Sequence, residues 1–203
     1  MAFQYNGGSI VGMSGDNCVC IASDNRYGQQ LHTISTDFPK IFKITDKIFI
    51  GLSGLATDIQ TVLNKIKYKV NMYELRENRK MSPKCFKTMV SNLLYERRFG
   101  PFFAEPVIVA LNDDGTTMLC GMDCLGAAES PKDYVVAGTA ANEMHGLAEA
   151  YWRPDMPAEE LFECVSQTML SGCDRNAASG WGATVTIVQK DKIITRKLKA
   201  RMD

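Results

Sequence analysis

The sequence predicts an α+β fold, and three observations carry the prediction. Hairpin-like pairs of apolar segments alternate along the chain with pairs of helical apolar stripes. The strand segments are too continuously apolar to leave one face in water, so each sheet should be covered on at least one side. The 203 residues, 45% hydrophobic and 23% charged, suit one domain over 1–203 with a buried core. Layer rules then favour two antiparallel sheets stacked face to face with helices outside, without singling that arrangement out.

The elements follow in order. Ile10–Met13 and Cys18–Ala22 flank the turn-rich Ser14-Gly15-Asp16-Asn17 and read as a hairpin, which runs into the polar Ser23-Asp24-Asn25-Arg26. Ile41–Ile44 and Ile48–Leu52 around Asp46-Lys47 form a second such unit. From Ala56, the residues Ile59, Val62, Leu63, Ile66 and Val70 recur at three and four, a helical stripe that Asn78 should stop. Ser82-Pro83 opens the next helix, with Ser as cap and Pro in first position. Its stripe is Phe86, Met89, Val90, Leu93 and Leu94, with Gly100-Pro101 as its expected end. Val107–Leu111 and Thr117–Cys120 make another hairpin around Asn112-Asp113-Asp114-Gly115. Tyr134–Ala137 is a strand stopped by Gly138, after which Thr139 is expected to cap a helix to about Tyr151. Pro157 opens a last helix, and Ala183–Gln189 with Ile193–Leu198 closes the chain as a hairpin.

Composition excludes several classes of function. The 23 basic and 23 acidic residues cancel, so no global charge draws the chain to nucleic acid or to an anionic membrane. No apolar run approaches the roughly 18–20 residues that span a bilayer. Met1-Ala2-Phe3-Gln4-Tyr5 lacks the basic region and apolar core of a secretory signal, which fits seven cysteines in a reducing compartment. Those cysteines lack C-x-x-C spacing and the two histidines stand far apart, so no metal is expected and most thiols should be buried as small hydrophobes. The glycines show no phosphate-loop spacing, and no cofactor is expected. From Lys190 the tail carries six basic and two acidic residues without interleaved aromatics, which reads as a solvated face or subunit contact.

Several segments together resemble the 20S proteasome beta subunits. They are Ser23-Asp24-Asn25-Arg26 after an apolar strand, Asp37-Phe38-Pro39-Lys40-Ile41, Ile50-Gly51-Leu52-Ser53-Gly54-Leu55-Ala56-Thr57-Asp58, Tyr73-Glu74-Leu75-Arg76 and Ala178-Ser179-Gly180. Asn6-Gly7-Gly8, Leu94-Tyr95-Glu96-Arg97-Arg98-Phe99-Gly100-Pro101 and the ending Lys197–Asp203 resemble the third beta position of that family. The likeness runs in order along essentially the whole chain. It implies the four-layer αββα sandwich of N-terminal nucleophile hydrolases and a place in a hetero-oligomeric protease. Its implied partners are other beta subunits in the same and the opposite ring, and alpha-ring subunits. The implied location is cytoplasm and nucleus.

Such a hydrolase needs a Thr, Ser or Cys at a free N-terminus, whose own amine is the base, and a lysine that keeps the local potential positive. In active members the nucleophile lies sixteen residues before the strand-end aspartate; from Asp24 that spacing reaches Gly8, which has no side chain to attack with. Lys40, thirty-two residues on from Gly8, falls in register with the catalytic lysine. Thr139 matches a family serine, and Asn176 stands where a catalytic aspartate precedes Ser179 by three. Asn keeps the shape of Asp but not its charge. With Met1 still in place, the resemblance therefore implies an inactive chain holding a vestigial site of Gly8, Asp24, Lys40, Thr139, Asn176 and Ser179. In an inactive chain Asp24 and Lys40 read first as an ordinary ion pair kept for packing at a strand end.

Ser9 is the rival nucleophile, since cleavage after Gly8 would expose its hydroxyl and make the chain an independent hydrolase. Its spacing to Asp24 is fifteen, and on a strand that slip of one turns the side chain to the other face. The loop of Asp123 and Ala127 corresponds in the family to a wall of the neighbouring trypsin-like subunit's substrate pocket, where an acid would favour basic substrates. Asp123 also reads simply as a surface-turn carboxylate.

Overall fold

The computed structural model describes residues 2–202 and shows the four-layer sandwich. A short 3-10 turn, Ala2–Gln4, precedes strands β1 (Ser9–Gly15), β2 (Cys18–Asp24), β3 (Tyr27–Gln29), β4 (His32–Ser35), β5 (Ile41–Lys43) and β6 (Ile48–Gly54). Helices α1 (Ala56–Glu77) and α2 (Pro83–Tyr95) follow, then β7 (Ala104–Leu111), β8 (Thr117–Met122), β9 (Ala128–Glu129) and β10 (Tyr134–Gly138). Helices α3 (Ala141–Tyr151) and α4 (Ala158–Cys173) lead to β11 (Ala183–Gln189) and β12 (Ile193–Leu198). One antiparallel sheet has the order β10-β1-β2-β11-β12, the other β5-β6-β7-β8-β9, and β3 pairs with β4 alone.

Strand alternation divides the apolar side chains among three cores. Ile10, Val19, Ile21, Phe49, Val107, Val109 and Leu119 meet between the sheets. Val11, Met13, Cys18, Cys20 and Ala22 point the other way, against Met144, Leu161, Val165 and Met169 of α3 and α4. Ile48, Ile50, Leu52 and Ile108 likewise pack on Ile59, Val62, Ile66, Phe86 and Leu93 of α1 and α2. The inner strands β1, β2, β6, β7 and β11 are thus buried on both faces, which is why they read as apolar runs, while the edge strands β5, β9 and β12 stay partly exposed. Each fully buried Ile or Leu contributes about 1.5–3 kcal/mol.

The local signals for α1 and α2 operate as read. Asn78 ends α1 in the left-handed conformation at φ 53°, and the Ser82 hydroxyl accepts from the Cys85 amide to start α2. Two expectations need correction. Helix α2 stops at Tyr95, and Arg97–Gly100 form tight turns of their own before Pro101. Thr139 does not cap α3; its amide donates to the Gly8 carbonyl, and Ser9 Oγ takes the Ala140 amide instead. The β3–β4 hairpin had no counterpart in the sequence pattern.

Among the described residues no helix is long and apolar enough to cross a membrane, and no three His, Cys, Asp or Glu side chains cluster to hold a metal ion. All seven thiols are free.

Candidate functional site

Sheet register gathers the six residues of the expected site. Ser9 pairs with Gly138, Ile10 with Ser23, and Asp24 with Ala183, so the start of β1, the ends of β2 and β10 and the start of β11 share one edge. Lys40 arrives from the other sheet, just ahead of β5, where its carbonyl accepts from the Leu52 amide. Gly8, Asp24, Lys40, Thr139, Asn176 and Ser179 all fall within this corner.

Asp24 and Lys40 form its centre, their side chains 0% and 3% exposed and Lys40 Nζ 3.0 Å from Asp24 Oδ1. The ammonium also donates to the Asp24 carbonyl at 3.0 Å and the Arg26 carbonyl at 2.7 Å. Two hydrogen bonds and one ion pair thus hold the Lys40 ammonium within this corner. Phe38, stacked on Tyr27, lies with its ring centroid 5.8 Å from Nζ. The Asp24 carboxylate further accepts from the amides of Ser9 (2.9 Å), Arg26 (3.3 Å) and Gly180 (3.1 Å). A buried charge pair held this completely costs about 3–5 kcal/mol to break from one side.

Gly8 sits against the lysine at φ +120°, and a Cβ there would lie 2.4 Å from Lys40 Cε and 3.0 Å from Cδ. A side chain at position 8 would press on the stem of Lys40, which would have to shift to admit it. Ser9 faces the opposite way: fully buried, it accepts the Ala140 amide on Oγ at 2.9 Å. In the uncleaved chain its nitrogen is a peptide amide that donates to Asp24 Oδ1 at 2.9 Å.

The late loop is also closed on itself. Asn176 Nδ2 donates to the Thr139 carbonyl at 2.8 Å, while Oδ1 accepts from the Ala178 amide at 3.0 Å and from Ser179 Oγ at 3.1 Å. A carboxylate could make the last two bonds but not the first. Beneath it, burial first and then Asp24 push the Cys173 thiol up to about 12, which keeps it protonated and unreactive.

Two residues here escaped sequence reasoning. Arg26 is 1% exposed and ties Thr33 Oγ1, the Ala178 carbonyl and the Gln30 carbonyl at 2.9–3.0 Å. Burial lowers its pKa, and Asp24 opposes that shift. Its only sequence signal is a place in the polar run after β2. Asn6 is the other: it lies ahead of the site and bonds both α1 and the β3–β4 hairpin.

Asp123 and Ala127 lie elsewhere, in the β8–β9 turn. Asp123 Oδ1 accepts the Leu125 amide at 2.9 Å and the Ala127 amide at 2.8 Å, which shapes the turn. Both residues line a cleft of about 650 Å³ with Glu105, Glu129, Asp133 and His145. Burial raises the Glu105 pKa; the Gly138 amide opposes this, and the charge of Asp123 adds to it.

Comparison with known proteins agrees with this geometry. Residues 4–188 match the family described as proteasome subunit. Proteasome subunit beta type-3 of Picea mariana is 53% identical over 201 residues, covering 99% of this chain and 98% of the relative. Its namesake in Drosophila melanogaster is 52% identical over 202 residues, 98% of each. The probable proteasome subunit beta type-3 of Schizosaccharomyces pombe is 45% identical over 200 residues, again 98% of each.

Proposed function

The chain belongs to the proteasome subunit family, and from its likeness to beta type-3 subunits we propose that it is a non-catalytic structural beta subunit of the 20S core particle. In this reading it takes part in ring assembly and protein degradation without cutting peptides. Its partners are beta subunits in its own and the opposite ring and alpha subunits in the adjacent ring, in cytoplasm and nucleus.

The observation that carries the reading is the corner of Gly8 and Lys40. Peptide cleavage in this fold requires a side-chain nucleophile whose own amine takes its proton. At Gly8 there is no side chain, and a Cβ would lie 2.4 Å from the lysine stem. The Lys40 ammonium is held by hydrogen bonds to the Asp24 and Arg26 carbonyls and by its ion pair with the Asp24 carboxylate, and it faces no side-chain hydroxyl or thiol at position 8. Asn176, in place of a carboxylate, holds Thr139 and Ser179 together as a structural bridge. Without the nucleophile the rest of such a constellation has little to act through.

We further assign Asp123 and Ala127 to the wall of a neighbouring trypsin-like subunit's pocket. The cleft they line gathers the carboxylates of Glu105, Asp123, Glu129 and Asp133, a negative surface suited to a basic side chain.

The test of the catalytic reading is labelling of the particle, purified from its own cells, with a hydroxyl-directed covalent inhibitor. This chain should stay unlabelled, with Gly8 still joined to Ser9, while catalytic neighbours react. A labelled chain beginning at Ser9 would establish the independent hydrolase instead.

A further inference from the structure

Helix α1 begins at Ala56 after Leu55, a residue with no polar atom to cap the first free amides. The cap comes from fifty residues earlier: Asn6 Oδ1 accepts the Ala56 amide at 2.8 Å. The other end of the same buried carboxamide donates to the Gly28 carbonyl at 3.0 Å. Main-chain bonds reinforce the second contact, with the Gly28 amide on the Asn6 carbonyl at 3.1 Å and the Gln30 amide on the Tyr5 carbonyl at 2.7 Å. Further out, the Phe3 ring meets Phe103 edge-on at 5.4 Å. Phe103 in turn accepts from the Leu55 amide and donates to Asp58, so both ends of the segment converge on the start of α1.

The hairpin of β3 and β4 has strands of only three and four residues, and its tip carries an exposed Leu31. A two-stranded hairpin of this size is marginal alone. Passage to Gly8 is tight as well: at Gly7, φ +69°, a Cβ would lie 1.9 Å from the Ala178 carbonyl oxygen. Ala2, Gln4 and Tyr5 form one wall of a cleft of about 730 Å³ whose other walls include Leu31, Leu55, Thr139 and Asn176.

We infer that residues 2–7 are a built-in clasp: the Asn6 carboxamide locks the start of α1 to the β3–β4 hairpin and thereby gives shape to the cleft beside Gly8. The segment is a working part of the fold, and the two ends of one side chain join two elements that Arg26 and Phe103 otherwise support separately.

Amide hydrogen exchange on the full chain tests this, comparing the unmodified protein with Asn6→Ala and Asn6→Asp. For Asn6→Ala, amides in 27–31 and 55–58 should exchange about tenfold faster, while those of 161–169 in α4 keep their protection. The Asn6→Asp side chain still accepts from Ala56 but cannot donate to Gly28, so only the 27–31 window should speed up. Unchanged exchange in both windows for Asn6→Ala would overturn the clasp, as would equal acceleration in α4, which signals general loosening. If Asn6→Ala does not fold, Asn6→Asp decides alone: acceleration confined to 27–31 supports the clasp, and any other pattern overturns it.

Discussion

Replacing Gly8 with threonine would return the side chain that cleavage requires, and the surroundings of Gly8 predict lost stability without gained activity. The new Cβ would stand 2.4 Å from Lys40 Cε, on a backbone at φ +120°. Holding an ordinary residue in that conformation costs about 1–3 kcal/mol, and overpacking a full site about 1–3 kcal/mol more. If Lys40 swings aside to relieve the clash, it leaves Asp24 buried with its cation gone, at about 3–5 kcal/mol. The first route loses about 2–6 kcal/mol and the second, with the same backbone strain, about 4–8 kcal/mol, so Gly8→Thr should lower Tm by at least roughly 5 °C for a chain of this size. Urea unfolding of the full chain reads the loss, and a peptidase assay on the assembled particle reads activity. A variant within about 0.5 kcal/mol of the unmodified protein would show that the lysine yields freely. Lys40 would then not be the obstacle at position 8.

Three further outcomes follow from the same geometry. Asn176→Asp restores a carboxylate but removes the donor to the Thr139 carbonyl, so urea unfolding should show a loss of about 1–3 kcal/mol; equal or greater stability would refute the bridging role. Glu105 has a folded-state pKa raised chiefly by burial from 4.5, so its contribution is complete below that value and is lost as pH rises through the raised one. Against Glu105→Gln, the unmodified protein should therefore lose Tm from about pH 4.5 upward, and parallel Tm curves would contradict the sign. Asp123→Asn keeps Oδ1 for the turn and removes the charge, so trypsin-like turnover by the particle should drop with assembly intact; unchanged turnover would remove the pocket role.

The long hairpins and helices were legible because their signals are local. A left-handed Asn78 and a Ser82-Pro83 start can be read from a few neighbouring residues. Remote caps cannot. Asn6 serves α1 across fifty residues and Ser9 serves Ala140 across 131, so Thr139 looked like a cap only because it was adjacent. The β3–β4 hairpin lacks apolar alternation because Arg26 and the Asn6 segment hold it through backbone carbonyls and a threonine hydroxyl. Asp24 and Lys40 were placed by their register with the family, whereas their mutual contact depends on strand pairing across two sheets. The burial of Arg26 left no trace in composition, since an Arg in a polar run ordinarily points to solvent.

Native mass spectrometry of the particle that co-purifies with a C-terminally tagged copy from its own cells tests the structural-subunit reading most directly. The expected result is a large assembly of many different subunits, in which this chain's own mass includes the residues ahead of Ser9. A monomer or homo-oligomer of chains beginning at Ser9 would contradict it and make Ser9 the nucleophile.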